Sequence, residues 1–111
     1  MGSPTQISNF ELMVMLALIR IGDEAYGVPI SLEIESHSGK DVAVGSVYAA
    51  LERLEIRGLV TSRMGEPTAA RGGRAKRYFK VTSAGLKEIR DTQRTLLKLW
   101  KNLPGLQGSK A

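Results

Sequence analysis

The residues able to do chemistry in this sequence are few and mostly basic. His37 is the single histidine, cysteine is absent, and no glycine-rich phosphate loop or acidic metal cluster occurs in the 111 residues. Nucleophilic and metal-assisted catalysis therefore lack their groups, and His37, set between Ser36 and Ser38, reads as an ordinary exposed residue. No catalytic residue, metal ligand or cofactor is expected. What remains is a set of cations and hydroxyls: Lys40, Ser46, Tyr48, Arg53, Arg71, Arg74, Lys76 and Arg77. Such groups suit phosphate oxygens and base edges, so the chemistry on offer is recognition of a polyanion.

The distribution of charge agrees. Residues 1–39 carry one basic and five acidic side chains, residues 40–80 nine and four, and residues 81–111 six and two, so the net charge of +5 is polarised along the chain. A basic surface on a small domain favours a polyanion, although a solvated face kept for solubility gives the same totals. With 42% hydrophobic and 24% charged residues, a chain of this length makes one globular domain with a modest core. The lack of cysteine suits a reducing compartment. The longest apolar run, Leu12 to Ile19, is closed by Arg20 and falls well short of the roughly 20 residues of a membrane span. The N-terminus has no signal-peptide pattern, so a cytoplasmic protein without a membrane partner is expected.

These residues must be positioned by elements that periodicity reveals. Ser8-Asn9-Phe10-Glu11 has the form of a capping box and predicts a helix from about Asn9 to Ile21, apolar nearly all round and so in need of more than one partner surface. Val28, Ile30, Leu32 and Ile34 alternate like a strand, yet Pro29 suits a first helical turn and Ile30 and Ile34 share a helical face. Val47, Ala50, Leu51 and Leu54 form the stripe of a third helix that stops at Gly58. Its other side is kept low by Gly45, Ser46 and Ala49, with Arg53 further along and Tyr48 at the edge. Two strands follow, Leu59 to Arg63 and Tyr78 to Val81, with Phe79 and Val81 on one face and the glycine-rich basic segment from Gly65 to Ala75 between them. A last helix from Thr82 to about Leu103 carries Leu86, Ile89, Gln93, Leu96, Trp100 and Leu103 at the spacing of a helix that packs along another.

Three helices, a hairpin with a basic tip and a further helix make a mainly α chain with a small β-hairpin: a winged helix-turn-helix plus a C-terminal dimerisation helix. The expected boundaries are 8–81 for the winged domain and 82–103 for the arm, with flexible tails at 1–7 and 104–111. The low face of the third helix could enter a DNA major groove of about 12 Å, with Ser46, Tyr48, Ala49 and Arg53 on it. Lys40 precedes that helix, and Arg71, Arg74, Lys76 and Arg77 would let the hairpin follow a phosphate backbone or reach the minor groove. In a dimer, Trp100 could line an apolar cavity with Met13, Leu16 and Ala17, suited to a planar aromatic small-molecule effector that Gln93 would orient.

Three blocks resemble the PadR-type bacterial transcriptional regulators: Tyr26-Gly27-Val28-Pro29-Ile30, the stretch Gly45 to Val60, and Gly72 to Gly85. The resemblance covers Phe10 to Gly85. It implies winged-helix dimers that usually repress genes, dimerising through the C-terminal helix, and the single helix after the wing is similar to the short-tailed subfamily. It also favours helix over strand for Val28 to Ile34. Pro29 and Ala49 depart from the family pattern, and Ala49 could alter which base edges are reached. The expected function is therefore a DNA-binding regulator, a repressor acting as a homodimer on a pseudo-palindromic operator in double-stranded DNA. The rival is a winged helix that senses an effector or binds proteins with little DNA affinity of its own. An RNA-binding role is disfavoured by the few aromatic residues.

Overall fold

The computed structural model describes residues 7–66 and 75–106. Its elements run α1 (Asn9–Ile21), α2 (Gly27–Ser38), α3 (Val44–Ile56), β1 (Val60–Met64), β2 (Arg77–Val81) and α4 (Ser83–Trp100). The Ser8 capping box forms in full: the Ser8 hydroxyl accepts from the Glu11 amide at 3.1 Å, and the Glu11 carboxylate accepts from the Ser8 amide at 2.9 Å. Segment 27–38 is helical. Ile30 and Ile34 point into the core while Val28 and Leu32 face outward, so the alternation in sequence was the shadow of a helical i, i+4 pair.

The turn between α2 and α3 is short and pinned. Gly39 takes the left-handed conformation (φ 73°) that a side chain would resist, and the Glu35 carboxylate accepts from the Val42 amide at 2.8 Å. Val47, Ala50, Leu51 and Leu54 of α3 are fully buried against Val14, Met15 and Leu18 of α1 and Ile30 of α2. Past α3, Gly58 (φ 77°) reverses the chain into β1, which pairs antiparallel with β2 in the register Val60 with Val81 through Met64 with Arg77. The hairpin closes onto the helices through Phe79, which is buried and whose amide donates to the Ala25 carbonyl at 2.9 Å.

Helix α4 is capped by the Thr82 hydroxyl and starts in close contact with Leu59, just before β1, and with Val81 of β2. A side chain at Gly85 would run into the Leu59 carbonyl oxygen, so glycine sets that approach. Beyond it, Ile89 packs partly on the core, and Gly85 is the one buried α4 residue. The helix ends at Trp100, three residues before the expected Leu103. Pro104 explains this, since its ring would clash with the Trp100 carbonyl and it disfavours helix at the residue before it; Asn102 (φ 61°) turns the chain away instead. Leu103 therefore lies off the helical stripe, and the helix is shorter than the expected 82–103. Among the described residues, no helix is long and apolar enough to cross a membrane.

Candidate nucleic-acid interface

Helix α3 presents an open face. Ser46 and Ala49 are exposed, and a Cβ added at Gly45 would meet nothing within 4 Å. The first two turns of the helix are thus low and unobstructed, as the sequence predicted. Lys40, in the turn before α3, is exposed as well.

Tyr48 is placed differently from its neighbours. Its ring is 38% exposed, but its hydroxyl oxygen accepts from the Gly27 amide at 3.2 Å and its ring packs edge-on to Phe79 with centroids 6.3 Å apart. Helix α2 has no side-chain cap at Tyr26, so a tyrosine from α3 serves its first turn in place of one. The hydroxyl keeps its own proton to donate.

Two of the expected DNA-facing arginines have internal partners. Arg53 Nε donates to Glu11 Oε2 at 2.8 Å, and Arg57 Nη1 lies 3.7 Å from Glu11 Oε1. The Glu11 side chain is only 8% exposed. Burial pushes its carboxyl upward, but the Arg53 hydrogen bond, the Ser8 amide and the charges of Arg53 and Arg57 outweigh burial and hold it below the ordinary glutamate range. Arg77 likewise reaches inward: its guanidinium donates to Glu55 Oε1 at 2.8 Å and to Ser62 Oγ at 3.1 Å and lies over the Phe79 ring. Arg71 and Arg74 lie outside the described residues. Lys76 sits with its ammonium over the Tyr26 ring, at the same side of the molecule as the α2 N-terminus.

The residues expected to form one effector cavity divide between two hollows. Leu16 and Trp100 share a groove of about 320 Å³ with Leu12, Ile89, Gln93, Leu96 and Leu97, between α1 and α4. Met13 and Ala17 open on the other side of α1, into a hollow of about 360 Å³ bordered by Arg20, Glu33, Ile34 and His37. Leu16 borders both. The geometric reason is helical: Met13 and Ala17 are four apart and project toward α2, whereas Leu12 and Leu16 project toward α4. His37 is exposed and hydrogen-bonded to Glu33 at 2.9 Å, which in turn pairs with Arg20 at 2.7 Å. Among the described residues no group of side chains could hold a metal.

Glu11, Tyr26, Tyr78 and Arg63 shape this surface through long-range contacts that sequence reasoning missed. The capping-box pattern marked Glu11 for a local role alone, and nothing in the spacing of the others foretold their meeting.

Comparison with known proteins gives a consistent answer. The model of the transcriptional regulator PadR-like family matches residues 15–91. A transcriptional regulator of Mycobacterium tuberculosis is 32% identical over 89 residues, which cover 80% of this chain and 78% of that protein. A solved transcriptional regulator from Clostridium thermocellum superposes with a TM-score of 0.68 at 26% identity, covering 82% of this chain and 85% of the other. A PadR-like transcriptional regulator from Bacillus cereus has the same fold, with a TM-score of 0.70 at 21% identity over 90% of this chain and 93% of its own. These relatives are regulators rather than enzymes, and this chain belongs to the PadR-like family of transcriptional regulators.

Proposed function

We propose that the protein binds double-stranded DNA as a symmetric homodimer and represses transcription from a pseudo-palindromic operator. The observation that carries this is the open, small-residue face of α3 at Gly45, Ser46 and Ala49, with the exposed Lys40 in the turn before it. An apolar or crowded helix would be held off the groove. Ser46, Ala49 and the donated proton of Tyr48 face base edges or phosphates, and Lys40, Arg71, Arg74 and Lys76 serve phosphates. Arg53 and Arg77 contribute little, since their guanidinium groups are engaged and their charge offset by Glu11 and Glu55.

The dimer reading rests on α4. Leu86, Leu96, Leu97 and Trp100 are exposed on one side of it, a stripe left uncovered by the described residues, next to the exposed Leu16 and Ile19 of α1. A two-fold axis through this stripe sets two α3 helices about one DNA turn, roughly 34 Å, apart. The groove of Leu16, Gln93 and Trp100 at that axis suits a planar aromatic effector.

The internal ion pairs of Arg53 and Arg77 favour a second reading, a winged-helix module with little DNA affinity of its own. Titration of the native protein with arbitrary duplex DNA decides between them. DNA binding predicts affinity that falls steeply with salt, and loss of about 0.9 from the log–log slope for each phosphate contact removed in an Arg71→Ala, Arg74→Ala, Lys76→Ala series. A salt-independent or absent response supports the module.

A further inference from the structure

Four side chains from three parts of the chain form a continuous array at the base of the wing, two rings in contact with a cation at each end. The Lys76 ammonium lies 4.1 Å from the centroid of the Tyr26 ring. Tyr26 meets Tyr78 edge-on, with centroids 6.0 Å apart and planes at 76°. The Arg63 guanidinium lies 4.8 Å over Tyr78 and donates to the Asp23 carbonyl at 3.1 Å, which ties β1 back to the α1–α2 connection. The hairpin is also closed at this level: the Gly65 amide donates to the Lys76 carbonyl at 2.7 Å, and a side chain at Gly65 would strike the Tyr78 ring. Lys76 is therefore held at both its backbone and its tip.

The way the tip is held matters. Arg53 and Arg77 are gripped by carboxylates, which cancel their charge as well as fix their direction. Lys76 has no carboxylate partner among the described residues and rests on an aromatic face, which attracts a cation through the ring quadrupole and leaves its net charge intact. A free lysine side chain must lose much rotamer freedom when it meets a phosphate, and a ring that restrains it beforehand reduces that loss. We propose that Tyr26 is a positioning residue that presents Lys76, restrained but not neutralised, to a DNA phosphate beside the first turn of α2, with Tyr78 and Arg63 bracing the ring from behind. This rests on the DNA-binding reading above. It gives the α2 tyrosine a role in affinity that neither its charge nor its distance from the α3 face suggests.

The test compares Tyr26→Leu, Lys76→Ala, the two together and Tyr26→Phe in duplex titrations between about 50 and 200 mM salt. Lys76→Ala should lower the slope magnitude by about 0.9, which is about eightfold weaker binding at 0.1 M salt. Tyr26→Leu should weaken native binding by no more than that and have no further effect in the Lys76→Ala background, and Tyr26→Phe, which keeps the ring, should behave as native. A purely structural tyrosine would reduce the binding-competent fraction with or without Lys76, so its loss would add to that of Lys76→Ala. Native affinity for Tyr26→Leu, or additive losses in the double variant, overturns the proposal. Proton NMR of the free native protein needs no variant to fold: the Lys76 Cε protons should be shifted upfield by the Tyr26 ring, and random-coil values would equally overturn it. If the native protein shows no salt-dependent DNA binding, the DNA reading falls and the proposal with it. That failure is recognisable because the upfield Lys76 shift would persist.

Discussion

Replacing Tyr48 by phenylalanine removes one oxygen and keeps the ring against Phe79. That oxygen is the acceptor for the Gly27 amide at 3.2 Å, at the long end of hydrogen-bond geometry. A net hydrogen bond is worth about 0.5–1.5 kcal/mol, and a buried donor left unpaired costs about 1–3 kcal/mol. Gly27 is buried and α2 has no side-chain cap to take over, while the length of the bond argues for the low end, so a loss of about 1 kcal/mol is expected. For a domain of this size that is a fall in Tm of about 4–8 °C, measured by circular dichroism at matched protein concentration. DNA affinity should fall separately, by about 1 kcal/mol or roughly fivefold, if the hydroxyl proton is donated to the duplex. The reciprocal change is Gly27→Ala. Helix propensity alone would make alanine better by about 1 kcal/mol. The new methyl carbon, however, would sit 2.5 Å from Tyr48 Cζ and 2.7 Å from its hydroxyl, so the ring must leave and the variant should be less stable than native. In a Tyr48→Ser background the same change should be neutral or stabilising. A native Tm for Tyr48→Phe, or a stabilised Gly27→Ala, would refute the claim that α3 caps α2.

Three further outcomes are expected. The folded-state pKa of Glu11 lies below its unfolded value, so its ion pairs contribute fully above the ordinary glutamate value of about 4.3 and are lost as pH falls through the lower folded value. Glu11→Gln should be less stable than native at neutral pH and lose less on acidification; parallel stability curves for the two proteins would contradict this. Gly85→Ala should cost about 1–3 kcal/mol in urea denaturation despite alanine's better helix propensity, because the methyl meets the Leu59 carbonyl of the backbone, which cannot swing aside; an unchanged midpoint would mean α4 docks less closely. Leu96→Glu with Trp100→Glu should give a monomer by sedimentation at micromolar concentration and weaken operator binding, and a dimer that survives both changes would move the interface elsewhere.

What could be seen in the sequence was what depends on near neighbours. The Ser8 and Glu11 capping box, the Val47, Ala50, Leu51 and Leu54 stripe and the two short strands all appear within a residue or two of where they were expected. The stretch from Val28 to Ile34 was ambiguous because every second residue is apolar; Leu32, 57% exposed, is the residue that misleads. The end of α4 was misplaced because Pro104 acts at a distance, terminating the helix four residues upstream of itself. The surface chemistry was the least legible part. Arg53 and Glu11 are 42 positions apart and Arg77 and Glu55 are 22 apart, so a tally of cations counts them as available when the fold has already given them partners.

Helix α4 hides a single residue, Gly85, over 18 residues and about 27 Å. Apart from Ile89, which packs partly on it, the rest of the helix lies outside the hydrophobic core, so many of its positions can vary without disturbing that core. In the proposed dimer, choice of partner and choice of operator therefore lie on different parts of the chain. In a cell holding several regulators of this build, a few changes along the arm, among them the exposed Lys87, Asp91 and Arg94 that pair with one another within the helix, would suffice to stop unlike chains from mixing while every operator remained the same. The converse also follows: an arm exchanged between two such proteins should carry its pairing preference with it and leave the recognition helix unaltered.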